Sequence, residues 1–224
     1  MKLAVEFPSV SYREGPQGVM RLAQAIEQIG YDHIDMFDHV VMGYPMEGRP
    51  PGPYPAQMPI LEALMALSYM AAVTSSVTLG TEVLVLPQRH PTLVAKQVST
   101  LDTLSGGRVR LGVGVGWQES EYEALGEDFH TRGARMDEAI RLLRTYWSDA
   151  QVDFKGQHYQ ITAIGTAEAA SRASSPHLGR RPVGARPASR GRARRRLARQ
   201  PDRRRPGRPA RHRHDPPPCR RGRP

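Results

Sequence analysis

Asp38 and His39 stand side by side near the end of a short apolar run, and they are the residues best suited to proton chemistry. An imidazole titrates near neutrality, and a neighbouring carboxylate can hold its charged form, so the pair could accept or deliver a proton. The plainer alternative is that His39 only satisfies a loop carbonyl. Gln88, Arg89 and His90 form a second polar group, with Arg89 and His90 able to meet a phosphate or a substrate, or simply to face solvent. Gly112, Gly114 and Gly116 alternate before Trp117. They do not make a dinucleotide fingerprint, because G-x-G-x-x-G needs its third glycine where Trp117 stands. Glycines facing one way instead leave room for a flat ring to approach the backbone. His33, His39, His90, His130 and His158 show no metal-ligand spacing, and no nucleophile elbow accompanies them, so no metal is expected.

These residues must be positioned by strands that alternate with helices. Lys2 to Phe7 reads as a strand, and Val19, Leu22, Ala23, Ile26 and Ile29 follow at helical spacing before Gly30, a natural C′ residue. His33 to Phe37 reads as the second strand, which puts Asp38 and His39 at its carboxyl end. After a Pro- and Gly-rich loop from Gly43 to Pro59, helical spacing resumes at Ile60, Leu61, Leu64, Leu67 and Met70. Val77 to Leu86 predicts a third strand, and the next helix stops at Ser105-Gly106-Gly107. Val109 to Val115 predicts a fourth strand, and a linker from Gly116 to Thr131 leads to a helix with Met136, Ala139, Ile140, Leu143, Tyr146 and Trp147 on its core face. Val152 to Ile161 reads as a hairpin around Lys155-Gly156-Gln157. Each main strand is almost continuously apolar, as expected of a parallel sheet covered on both faces. Arg108 precedes the fourth strand and so lies at the end opposite the catalytic rim of such a fold, a structural place.

Four stretches together resemble the luciferase-like monooxygenase family, particularly its branch that uses the deazaflavin coenzyme F420. They are Gly30-Tyr-Asp-His-Ile-Asp-Met-Phe-Asp-His-Val40, Leu79-Gly-Thr-Glu-Val-Leu-Val-Leu-Pro87, Thr100 through Ser105-Gly-Gly-Arg-Val-Arg-Leu-Gly-Val-Gly-Val-Gly-Trp117, and Glu121-Tyr-Glu-Ala-Leu-Gly126 with Arg132-Gly133 and Glu138. The resemblance implies a (β/α)8 barrel, of which residues 1–165 would supply the first four βα units and a hairpin. It implies two-electron chemistry on a small organic substrate with F420, or with FMN and oxygen as the alternative. It places Asp38 and His39 beside the ring system, Gly114, Gly116 and Trp117 at the cofactor, and a non-prolyl cis peptide at Glu82-Val83. Trp117 departs from the acidic residue that some deazaflavin dehydrogenases carry there, which argues against a sugar-phosphate substrate. The resemblance also implies a homo-oligomer.

The net charge of +10 over 224 residues would by itself suggest an anionic partner. It is unevenly distributed: residues 1–165 hold about 13 Lys and Arg against about 19 acids, and residues 166–224 hold about 19 Arg against about 3 acids. That second segment has almost nothing large and apolar to bury and is expected to be disordered. Its Arg/Pro/Ala/Gly/Ser composition is that of GC-rich coding sequence read out of frame, so the chain reads as a truncated barrel followed by a frameshifted tail. An arginine-rich arm binding nucleic acid is the competing reading, opposed by the absence of aromatic residues for base stacking. The single cysteine, Cys219, cannot form an intrachain disulfide. No signal pattern opens the sequence and no apolar run is long enough to span a bilayer, so a cytoplasmic location without membrane contact is expected.

Overall fold

The computed structural model describes residues 1–8, 13–165 and the backbone of 177–180. The strands and longer helices alternate as the sequence predicts, and a short helix, α4, is added inside the stretch read as a linker from Gly116 to Thr131: β1 (Ala4–Glu6), α1 (Gly15–Ile29), β2 (His33–Met36), α2 (Ala63–Val73), β3 (Thr78–Thr81), β4 (Leu84–Val85), α3 (Pro91–Ser105), β5 (Val109–Gly114), α4 (Glu119–Ala124) and α5 (Arg132–Ser148). An antiparallel hairpin, β6 (Val152–Lys155) and β7 (Gln160–Ile164), follows, and then β8 (His177–Arg180). The main sheet is wholly parallel, with β1 beside β2, β2 beside β3, and both β3 and β4 along one side of β5.

Two further features differ from the sequence expectation. The third strand, read as continuous, is two short strands, β3 and β4, and between them lies the Glu82–Val83 cis peptide that the resemblance implied. In addition, β8 pairs in parallel with β5 from Arg110↔His177 to Val113↔Arg180, within the stretch expected to lack structure. The remainder of that expectation falls on residues outside those described. Among the described residues the sheet does not close into a barrel, and β1, β4 and β8 each pair with one neighbour only.

Helix ends follow local chemistry. Gly30 and Gly106 terminate α1 and α3 in the left-handed region, at φ 95° and 70°, and their N–H groups return to carbonyls of the last turn. One face of the sheet carries Ile34, Met36, Leu79, Val109, Leu111 and Val113, all buried in a core shared with α2, α3 and α5. On the opposite face Asp35, Gly80 and Arg110 lie in register across β2, β3 and β5, and Arg110 reaches Asp35 over Gly80 in an ion pair. A Cβ at Gly80 would overlap the Asp35 carboxylate, so only glycine fits between them.

The amino-terminal end of the sheet is held by polar clamps. Arg108 donates from Nε to the Ser105 carbonyl and from its two terminal nitrogens to the Ala71, Thr74 and Val77 carbonyls and to Thr74 Oγ1, the structural role expected of it. Glu27, in the last turn of α1, accepts the backbone N–H groups of Ser75, Ser76 and Val77. Away from that end, near His90, Glu138 of α5 accepts the N–H groups of Gln157, His158 and Tyr159 and so fixes the hairpin.

Candidate active site

The carboxyl ends of β2, β4 and β5 gather most of the residues singled out in the sequence, but with different partners. Asp38 and His39 do not act on each other. In extended chain, successive side chains point to opposite sides, and here Asp38 turns toward β4 while His39 turns toward α4. Asp38 is buried, accepts the Val85 N–H at 2.9 Å, and receives a two-pronged contact from Arg89 at 2.7 and 2.9 Å. Burial pushes its carboxyl upward, against the opposing charge of Arg89 and the Val85 N–H. All three contacts, from two partners, are made by donors, which suits a carboxylate. Arg89 is thereby committed to Asp38, with a second, longer contact to Glu62 at 3.4 Å. The expectation that it would meet a phosphate or substrate gives way to this ion pair. His90 also has a local task, because its Nδ1 accepts the Thr92 N–H at the start of α3 and its ring meets Tyr159 edge-on.

The carboxylate that serves His39 is Glu121. It is completely buried, and its Oε2 lies 3.0 Å from His39 Nδ1 and 3.2 Å from Gln88 Nε2. Its Oε1 accepts the Val40 and Val41 N–H groups at 2.8 and 3.3 Å. Burial alone would raise this carboxyl, but the bonds from His39, Gln88 and Val40 outweigh it and hold the group below the ordinary carboxylate range. Sequence reasoning saw Glu121 only as part of a family stretch. Three acids lie close together at 119, 121 and 123, and only the buried neighbour Tyr122 hints which of them turns inward.

The imidazole of His39 sits among aromatic rings. Trp117 meets it edge-on at 5.4 Å and Tyr54 at 5.7 Å, while Phe37 stacks on Tyr54 at 6.3 Å. Trp117 is 46% exposed and rests against Gly52, so the long loop after β2 folds over the rim. Tyr54 was hidden in that loop's Pro- and Gly-rich sequence. Between the loop and α4 lies a cleft of about 540 Å³ lined by Tyr54, Trp117, Arg49, Glu47, Glu119 and Ser120.

The glycines of β5 make room for protein. A Cβ on Gly114 would overlap Val83, one on Gly112 would overlap the Thr81 carbonyl, and one on Gly116 would come within 2.7 Å of Val85. The space expected for a flat ring is thus taken by the chain on either side of the cis peptide. Val83 is half-buried there and Glu82 is exposed. These surfaces, with Trp117 and Tyr54, fit the planar part of a flavin or deazaflavin. Among the described residues no group of three or more His, Cys, Asp or Glu side chains is placed to hold a metal ion, and no helix is long and apolar enough to cross a membrane.

Comparisons with known proteins agree with this geometry. The chain is 32% identical over 166 residues to the F420-dependent glucose-6-phosphate dehydrogenase of Amycolatopsis mediterranei, covering 71% of the chain and 46% of that enzyme. It is 38% identical over 108 residues to the pyrimidine monooxygenase RutA of Acinetobacter baylyi, covering 45% of the chain and 28% of that protein. The monooxygenase RslO1 from Streptomyces bottropensis superposes with a TM-score of 0.64 at 23% identity, over 80% of the chain and 52% of that structure, a likeness of fold. The chain spans about half the length, or less, of the curated relatives it matches. The luciferase-like monooxygenase profile matches residues 2–202, past the change of composition at 165, and with the parallel βα architecture and its rim it shows that the chain belongs to the luciferase-like monooxygenase family.

Proposed function

We propose that the rim serves two-electron transfer between coenzyme F420 and a small organic substrate. The observation that carries this reading is the imidazole of His39, held by a buried carboxylate at the carboxyl end of β2 and flanked by Tyr54 and Trp117, two rings that line the neighbouring cleft. When bound, the deazaflavin supplies a hydride donor or acceptor. Val83, Trp117 and Tyr54 would pack against its ring, and Gly114 and Gly116 would act by letting the β4 chain approach. With a substrate bearing a hydroxyl group, His39 Nε2 would accept the O–H proton as the carbonyl forms, the bound oxidised ring being the acceptor of the C–H hydride. The reverse direction returns the proton from the same nitrogen. Asp38 and Arg89 would hold the strand ends that carry these groups.

A second reading, monooxygenation with FMN and molecular oxygen, is favoured by the 38% identity to a pyrimidine monooxygenase. Mixing the chain with reduced F420 or reduced FMN, with and without oxygen, separates the two by following cofactor absorbance. The first reading requires oxidation of F420 that depends on an organic acceptor and ignores oxygen. Oxidation of reduced FMN that inserts an oxygen atom into an organic substrate, beyond the spontaneous reaction of reduced FMN with oxygen, would establish the second, and turnover of neither cofactor above its protein-free control would end both.

We also propose that residues after 165 are translated out of frame, on the strength of their composition. Translating the other two frames of the coding sequence tests this, because one of them must yield an apolar strand followed by a Gly-Gly pair. A homo-oligomeric state and a cytoplasmic location complete the proposal.

A further inference from the structure

Glu121 is fully buried at the rim, and its two oxygens have divided tasks. Oε1 is committed to two backbone donors, Val40 and Val41, which cannot reverse their polarity. Oε2 faces His39 Nδ1 and the Gln88 side-chain amide. An ionised carboxylate only accepts, so the imidazole nitrogen opposite it must carry a proton. The other nitrogen, Nε2, has no protein partner among the described residues, and the ring's neighbours Tyr54 and Trp117 both line the cleft.

We infer that Glu121 is a positioning residue that fixes neutral His39 with its proton on Nδ1, leaving Nε2 as the free proton acceptor beside Tyr54 and Trp117. The inference deepens the proposed function, since it rests on His39 handling the substrate's proton. A free imidazole does not hold this tautomer by itself; a hydrogen bond to the other nitrogen selects it.

The geometry supplies a clean perturbation. In Glu121→Gln the amide oxygen must occupy the Oε1 place, because Val40 and Val41 need an acceptor there. That puts the amide NH2 against His39 Nδ1, which must then accept, and the ring proton moves to Nε2. Gln88 can follow, because its Oε1 is buried without a partner and an amide flip turns that oxygen toward the new donor. The variant therefore keeps its hydrogen bonds and its shape while inverting the tautomer.

The test is long-range proton–nitrogen NMR of the histidine-labelled full chain above the titration of its imidazoles, with the His39 signals assigned through His39→Asn. The wild-type chain must show a protonated Nδ1 and an unprotonated Nε2, and Glu121→Gln must show the reverse with unchanged circular dichroism. Turnover with the cofactor that the chain oxidises must fall on the order of 10²-fold in the variant with KM little changed, as for a lost acid–base group. A wild-type His39 protonated on Nε2 overturns the inference without any variant, as does an unchanged tautomer in Glu121→Gln. A switched tautomer with undiminished turnover upholds the positioning by Glu121 and overturns the reading of His39 as proton acceptor.

Discussion

Replacing Glu27 by Gln tests whether backbone clamps at the amino-terminal end hold the sheet together. Glu27 accepts from three successive N–H groups, Ser75, Ser76 and Val77, at 2.9, 2.6 and 3.0 Å, and from Ser76 Oγ at 2.9 Å. Burial opposes ionisation slightly, but these donors lower its pKa from 4.5 to about 2. At about 1.4 kcal/mol per unit, that depression bounds the contribution at roughly 3.4 kcal/mol, and solvent screening of a partly exposed carboxylate reduces it to about 1–2 kcal/mol. Because the folded-state pKa is depressed, the stabilisation is complete above the unfolded value and is lost as pH falls from about 4.5 toward 2. Glu27→Gln should therefore melt about 3–6 °C below wild type at pH 7. The gap should narrow steadily below pH 4.5, as followed by circular dichroism at matched ionic strength. An equal gap at pH 7 and pH 3, or no gap at pH 7, refutes the argument.

Arg89→Met strands the buried Asp38 carboxylate and should cost about 3–5 kcal/mol in urea denaturation, whereas Asp38→Leu combined with Arg89→Met should recover most of the loss. Equal losses in the single and double variants would contradict the ion pair. Gly114→Ala must displace Val83, with an expected cost of about 1–3 kcal/mol and weaker cofactor binding. An unchanged melting temperature and affinity would show that β4 does not need the vacant Cβ position.

Much of the architecture was legible because it depends on local patterns. Gly30 and Gly106 mark helix ends through their left-handed backbone, and the apolar runs of β2, β3 and β5 announce a covered parallel sheet. Asp38, His39 and Trp117 were placed at the rim by following strand ends. The partners were not legible. Whether His39 meets the adjacent Asp38 or the distant Glu121 is decided by the direction of side chains at a strand end, and by a helix that arrives 80 residues later to supply the Val41 contact. The glycines of β5 illustrate the same limit, since their spacing shows that something approaches the strand but not that it is Val83 and Thr81. Arg89 reads as an open rim cation until the burial of Asp38 is known.

The central claim is that the rim around His39, Val83 and Trp117 receives a flavin-type ring. Its most direct test is an equilibrium titration of the chain with oxidised F420 and, separately, oxidised FMN, following the ring's own fluorescence in wild type and in Trp117→Ala. The account predicts saturable binding of one of them at a single site, with affinity reduced about tenfold or more when the exposed indole is removed. Absence of saturable binding by either, or identical affinity in the variant, would contradict it.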